Sequence, residues 1–170
     1  RQVAQIVWLT YSQAGLDEMA ANSSVPVINA LSDSWHPCQL LADLMTIKEC
    51  FGKTEGLKLA YVGDANNNMA NSYLVACAMA GMDVSIAAPE GYGPDDAVLD
   101  RAREIAGIQG GKITSSNDPL EAVESAHVVV TDTWVSLGME DQAHERAWVF
   151  QAFTVDPASY THPTVPTDTY

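Results

Sequence analysis

Positive charge is what this sequence has least of. Only 8 Lys and Arg stand against 22 Asp and Glu, a formal net charge of -14, and no arginine lies between Arg1 and Arg101. Such a chain neutralises neither a phosphate backbone nor an anionic lipid surface, so nucleic acid and membranes are excluded as partners. Long apolar runs are missing as well, none approaching the roughly 18 residues of a membrane-spanning helix. Cysteine is sparse: Cys38, Cys50 and Cys77 form no C-x-x-C pair, and no secretory apolar segment opens the chain. These absences exclude a disulfide scaffold and read as a cytoplasmic protein with reduced thiols. Neither Cys50 nor Cys77 has metal-ligand spacing to His36 and Cys38, so no metal and no cofactor is expected. What is present is ordinary: 170 residues, 47% hydrophobic and 18% charged, enough for one globular domain or one domain with part of another.

Apolar period and punctuation give a repeated strand-then-helix order. Residues 3–9 read as a buried strand, and a short helix follows over 13–21 with Ser12 as N-cap. Residues 24–30 form a second strand. Ser34 can cap the next helix, whose Leu40, Leu44, Ile47 and Phe51 recur on one face, with Pro37 in the first turn. Strands follow at 58–63, 83–88 and 112–115, and a fully buried one at 127–131. Helices fall at 67–81, at 94–107 (closed by Gly107 and the Gly110-Gly111 pair), at 119–126 and at 140–150. In the 67–81 helix Met69, Tyr73, Leu74, Cys77 and Met79 are the apolar residues; in the 94–107 helix Val98, Ala102, Ile105 and Ala106 face inward. The alternation predicts an α/β fold, a three-layer αβα parallel sheet. That unit spans 51–153, residues 1–50 belong to a neighbouring domain and the helix joining it, and 154–170 is a Thr/Pro-rich tail.

Ligands gather beyond the carboxyl ends of the strands in such sheets, which singles out residues 32–39, 63–68 and 132–138. Gly63-Asp64-Ala65-Asn66-Asn67-Asn68 lies where a helix N-terminus can receive an anion, but it lacks the second and third glycines of a dinucleotide loop. Its uncharged amides suit a zwitterion better than a pyrophosphate; an Asn-rich turn with an N-cap is the plain alternative. Asp132, next to Trp134 and Ser136, can grip an ammonium group, or simply cap a turn. His36 and Gln39, three residues apart at a helix start, can both hydrogen-bond a polarised carbonyl and its amine; a structural role is the commoner fate of a His there.

His-Pro-Cys-Gln followed by Leu-Leu-Ala-Asp-Leu, then Gly-Asp-Ala-Asn-Asn-Asn, then Asp-Thr-Trp-Val-Ser-Leu-Gly, in this order and spacing, resembles the ornithine carbamoyltransferase family. The likeness runs from about residue 3 to 153, and the Asp-Thr-Trp-x-Ser segment favours ornithine over the sister aspartate enzymes. It implies that residues 1–50 are a remnant of a carbamoyl-phosphate domain. It also implies transfer of a carbamoyl group from carbamoyl phosphate to the δ-amine of L-ornithine, giving citrulline in arginine metabolism. On this likeness His36 is catalytic, polarising the carbamoyl carbonyl, and Gln39 contacts the same group. Asn67, Asp132, Ser136 and Leu137 bind the amino-acid end, Asp132 against the α-ammonium.

The departures bear on the charge deficit. Leu137 stands for a usual Met and Ala65 for a common Gly. The family's Ser-x-Arg-Thr phosphate loop, its His-Cys-Leu-Pro segment and its later catalytic arginine are absent. The lysine nearest His36 in sequence is Lys48, about 18 Å along a continuous helix. The expectation is therefore a truncated chain, inactive alone, whose parent is a homotrimer. A non-catalytic amino-acid-binding module, or a carbamoyltransferase for a related amine such as putrescine, are the alternatives.

Overall fold

A computed structural model describes residues 3–135 and 140–156. Two parallel sheets organise them. Strands β1 (Ile6–Leu9) and β2 (Val27–Leu31) pair with each other, and β3 (Lys58–Val62), β4 (Asp83–Ala87), β5 (Ile113–Ser116) and β6 (Val128–Val130) form a four-stranded sheet in the order β5-β4-β3-β6. Helices α1 (Gln13–Asn22), α2 (Pro37–Phe51), α3 (Asn68–Met79), α4 (Asp96–Gln109), α5 (Pro119–Val123) and α6 (Ala143–Val149) alternate with the strands.

The period-2 pleat decides the layers. On β3, Leu59 and Tyr61 face one side, where they pack with Val84 and Ile86 of β4 and with Leu74, Cys77, Leu99 and Ala102 of α3 and α4. Ala60, Val62 and Ala87 face the other side, against Ala122 and Val123 of α5 and the rings of Phe150 and Phe153. Both faces of the sheet are covered, as the three-layer expectation requires. Leu59, Leu74 and Ile86 are wholly buried, each worth about 1.5–3 kcal/mol of transfer free energy. The buried residues Leu40 and Ile47 carry α2 into the same core as α3.

Local chemistry sets most helix ends as expected. Ser12 caps α1 by accepting from the Gly15 N–H at 3.1 Å, and Asp95 caps α4 by accepting from the Ala97 N–H at 2.7 Å. Several expectations need correction. Ser34 does not cap α2: the N-cap position is His36, with no side-chain cap, and Pro37 begins the helix, while Ser34 Oγ donates to Asp33. Gly107 lies inside α4, which ends at Gly110 with φ 91°. There Val98, Ala102, Ile105 and Ala106 do face the core, joined by the buried Leu99 that the pattern passed over, whereas Met79 on α3 is 63% exposed. Residues 3–9 are not a buried strand: only Ile6–Leu9 pairs, and Val7 and Leu9 are 59% and 67% exposed. In a two-stranded ribbon one face of each strand has nothing to pack on. Similarly, β6 is a half-buried edge of three residues, because β3 alone pairs with it. The 119–126 helix stops at Val123, and 140–150 is a 3-10 turn followed by α6.

Candidate functional site

Two of the three segments singled out by sequence are stitched together by α3. Asn68 Nδ2 donates to the Ser32 carbonyl at 2.7 Å and Asn71 Nδ2 to the Ser34 carbonyl at 3.3 Å. The His36 N–H donates to Ser72 Oγ at 2.8 Å, and that hydroxyl donates in turn to the Asn68 carbonyl at 2.6 Å. Polar residues one turn apart on α3 thus hold the backbone entering α2, so that the starts of the two helices lie side by side. His36 is half-buried, and its Nδ1 is a buried polar atom with no hydrogen-bond partner. Gln39 is exposed one turn further along α2, its Nε2 donating to Asp43 Oδ1 at 2.9 Å.

The turn after β3 requires glycine. Gly63 has φ 139°, and a Cβ there would sit 3.4 Å from Thr131 Oγ1 and 3.6 Å from Trp134 Nε1. The third segment therefore crosses directly over this turn. Beyond it Asn67 caps α3: its Oδ1 accepts from the Ala70 N–H at 2.9 Å, and its Nδ2 donates to the Asp64 carbonyl at 2.9 Å and to Tyr61 Oη at 3.2 Å. Both Asn67 donors are thereby spent. What it can still offer a ligand is the second lone pair of Oδ1, an acceptor suited to an ammonium group.

Asp132 is half-buried at the end of β6 and accepts from the Thr133 N–H at 2.7 Å. Its charge adds to the upward pKa shifts of Tyr61 and Asp64, as a smaller cause than their burial. For Tyr61 burial is the main cause of the upward shift, opposed by the hydrogen bond from Asn67. Ser136 and Leu137 lie outside the described residues.

Sequence reasoning missed the group beneath this site. Arg146 of α6 pairs with Asp64 through Nη2, donates from Nε to the Trp134 carbonyl, and lies 5.1 Å from the ring centre of Tyr92 and 5.3 Å from that of Phe150. Trp134 stacks on Phe150 at 5.9 Å. One guanidinium thus ties the turn after β3 to the segment after β6. Burial is the main cause of the raised pKa of Asp64, opposed by the hydrogen bond from the Asn66 N–H and by the charge of Arg146. The available sequence signal was indirect: an aspartate directly after a strand of buried residues needs a counter-charge, but nothing in its neighbourhood says which cation the fold delivers.

Three free cysteines occur, and no group of His, Cys, Asp and Glu among the described residues could hold a metal ion. No helix among them is long and apolar enough to cross a membrane. A separate cavity of about 430 Å³, lined by Val62, Leu120, Val123 and Val155, lies on the α5 side of the sheet, away from these groups.

A parallel α/β unit whose helix α3 is bonded to the backbone entering α2 defines a class, and the comparisons agree with it: the chain belongs to the aspartate/ornithine carbamoyltransferase family. Residues 55–164 match the family's Asp/Orn binding domain and residues 1–49 its carbamoyl-P binding domain. Within the family, the relatives are named ornithine carbamoyltransferase. Those of Renibacterium salmoninarum and Clavibacter michiganensis are each 55% identical, over 94% and 95% of this chain and 51% and 53% of their own lengths. The crystal structure of the Gloeobacter violaceus enzyme (44% identity) superposes with a TM-score of 0.84, and the Pyrococcus furiosus structure (43% identity) with 0.88, each over 93% of this chain. The chain spans about half the length of the curated relatives it matches.

Proposed function

We propose that this chain carries the carbamoyl-contacting helix start and the ornithine pocket of an enzyme that transfers a carbamoyl group from carbamoyl phosphate to the δ-amine of L-ornithine. The observation that carries the reading is the stitching of α2 to α3: it sets His36 and Gln39 on one helix start beside Asn67 on the next. A donor and an acceptor substrate bound there would meet between the two. His36 polarises the carbamoyl carbonyl and Gln39 holds the same group. Asp132 takes the α-ammonium of ornithine, Asn67 adds the free lone pair of its Oδ1, and Ser136 and Leu137 bind the rest of the amino-acid end. The uncharged δ-amine then attacks the carbamoyl carbon, the oxyanion that forms is stabilised beside His36, and its collapse expels phosphate, which carries away the proton lost by the attacking nitrogen and leaves citrulline. Most of the rate enhancement comes from holding the two substrates in register and from stabilising that oxyanion.

In this reading residues 1–50 are the carbamoyl-phosphate side and the joining helix, 51–153 the ornithine side, and 154–170 a tail. No metal or cofactor takes part. The parent enzyme is a homotrimer acting in arginine biosynthesis in the cytoplasm, in keeping with three free thiols and a net charge of -14 that disfavours nucleic acid and membrane partners. Calorimetric titration with L-ornithine is the test. Binding by the parent chain, weakened about tenfold or more in Asp132→Ala, is expected. An absence of ornithine binding, or equal binding by the variant, would overturn the assignment. A citrulline-formation assay with carbamoyl phosphate is expected to give little or no turnover by these 170 residues alone, and near-normal turnover would overturn the reading that they carry only part of the site.

A further inference from the structure

We propose that Asp43 is a positioning residue for Gln39, deciding which end of the Gln39 amide faces the carbamoyl group. The proposal rests on the reading that Gln39 contacts that group. Gln39 and Asp43 are one helical turn apart on α2 and share a face. Gln39 Nε2 donates to Asp43 Oδ1 at 2.9 Å, and the hydroxyl of Tyr73 on α3 donates to Asp43 Oδ2 at 2.6 Å.

A Gln–Asp pair alone on a helix surface can part and let water take either place. This pair differs, because Tyr73 is buried, 7% exposed, and comes from another helix. It fixes the carboxylate so that Asp43 cannot turn to follow Gln39. The Tyr73 ring is itself held against Tyr61, 5.9 Å between ring centres. A carboxylate offers acceptors only, whereas an amide has a donor end and an acceptor end. Gln39 can therefore meet Asp43 only through its NH2, which turns Oε1 the opposite way. Among the described residues Gln39 Oε1 takes no hydrogen bond.

An acceptor presented in that direction reads an N–H. The carbamoyl group has one on its amino nitrogen, and an acetyl group has a methyl in the same place. Asp43, braced by Tyr73, thus biases the site toward a carbamoyl donor and against an acetyl donor of the same shape. Tyr73 and the cap residue Asn67 belong to one helix and its first turn, so α3 supports both halves of the site.

The test is NMR of the 170-residue chain with 15N-labelled glutamine side chains, the Gln39 pair being identified by its loss in Gln39→Ala. Asp43→Asn is nearly isosteric and can offer Gln39 an NH2 as readily as an oxygen, and Tyr73→Phe removes only the brace. The Gln39 NH2 signals are expected to shift in Asp43→Asn, with hydrogen exchange faster by about three- to tenfold. Tyr73→Phe is expected to shift them the same way by less, while the signals of Gln109 and Gln151 stay in place. A Gln39 pair unmoved in both variants overturns the proposal. Carbamoyl phosphate and acetyl phosphate are then added to the parent chain, carbamoyl phosphate being expected to move the Gln39 signal at the lower concentration. Equal response to the two overturns the selective role of Asp43. A response of the His36 ring signals to carbamoyl phosphate without one at Gln39, with the Asp43→Asn shift intact, instead overturns the carbamoyl assignment of Gln39 and leaves its contact with Asp43 standing.

Discussion

Asp64 and Arg146 stand 82 residues apart in the chain and form an ion pair whose side chains are only 7% and 6% exposed. The pair joins the turn after β3, which leads to the Asn67 cap, to α6. Through the second bond of Arg146, to the Trp134 carbonyl, it also holds the segment that begins at Asp132. Breaking one side of such a pair strands a charge in the interior, at a cost of about 3–5 kcal/mol. Arg146→Met and Asp64→Leu are each expected to destabilise by an amount in that range, and the double variant by clearly less than their sum. Urea unfolding of the four proteins measures the cycle; additive losses would contradict the coupling.

The alkaline side of the stability curve follows from three buried acids. Burial raises the Cys77 thiol from 9.0 to about 12. It also raises Tyr61 and Tyr73 above their ordinary value of 10.0, with the hydrogen bond to Asp43 adding to the effect at Tyr73. The folded chain therefore keeps these protons to higher pH than the unfolded chain does. The stability they lend is complete below the unfolded values and is lost as pH climbs through them, at up to about 1.4 kcal/mol per pH unit for each group. The melting temperature should start to fall near pH 9 and continue falling toward pH 12, and Cys77→Ala should flatten the first part of the fall. Thermal unfolding followed by circular dichroism at closely spaced pH values checks this; a flat profile across that window would refute it.

Asn67 has two jobs that substitution can separate. Asn67→Ala removes the cap of α3, worth about 1 kcal/mol, together with the one acceptor left for an ammonium group. Asn67→Asp keeps an oxygen in place for both. Ornithine affinity by calorimetry should therefore fall further in Asn67→Ala than in Asn67→Asp. Equal losses in the two variants would mean that Asn67 serves the ligand through its amide NH2, which both lack.

Two glycines near the end of α4 should respond in opposite ways. A Cβ on Gly107 meets nothing within 4 Å, while one on Gly111 would lie 2.4 Å from the Met82 carbonyl oxygen. Gly107→Ala, inside the helix, should stabilise by about 0.5–1 kcal/mol. Gly111→Ala must push backbone apart between α4 and the start of β4 and should destabilise by about 2 kcal/mol or more. Chemical denaturation of both variants tests the pair.

Much of the fold was legible because local rules carry it. Ser12 and Asp95 cap as their side chains allow, Gly110 ends α4, and the alternation of strands with 10- to 15-residue helices selects a parallel sheet covered on both faces. The errors in the strands share one cause: burial of a strand depends on its neighbours. Residues 3–9 and 127–131 are both predominantly apolar in sequence, yet one lies in a two-stranded ribbon and the other at a sheet edge. Ser34 looked like a cap because it precedes a helix, but the helix starts later, at Pro37.

The candidate site divides the same way. The sequence by itself determined the chemistry on offer: an imidazole and an amide at one helix start, an asparagine cap at the next, an aspartate after a strand, and few cations anywhere. Those properties reside in residue types and short spacings. Only the tertiary structure decided what each group is committed to. It spends both Asn67 donors on Tyr61 and Asp64 and points Gln39 NH2 at Asp43. It also draws one of the few arginines to Asp64, where it serves as an internal clamp. The physical reason is that hydrogen bonds and ion pairs between distant segments depend on where the sheet and helices bring those segments together, which no local pattern encodes.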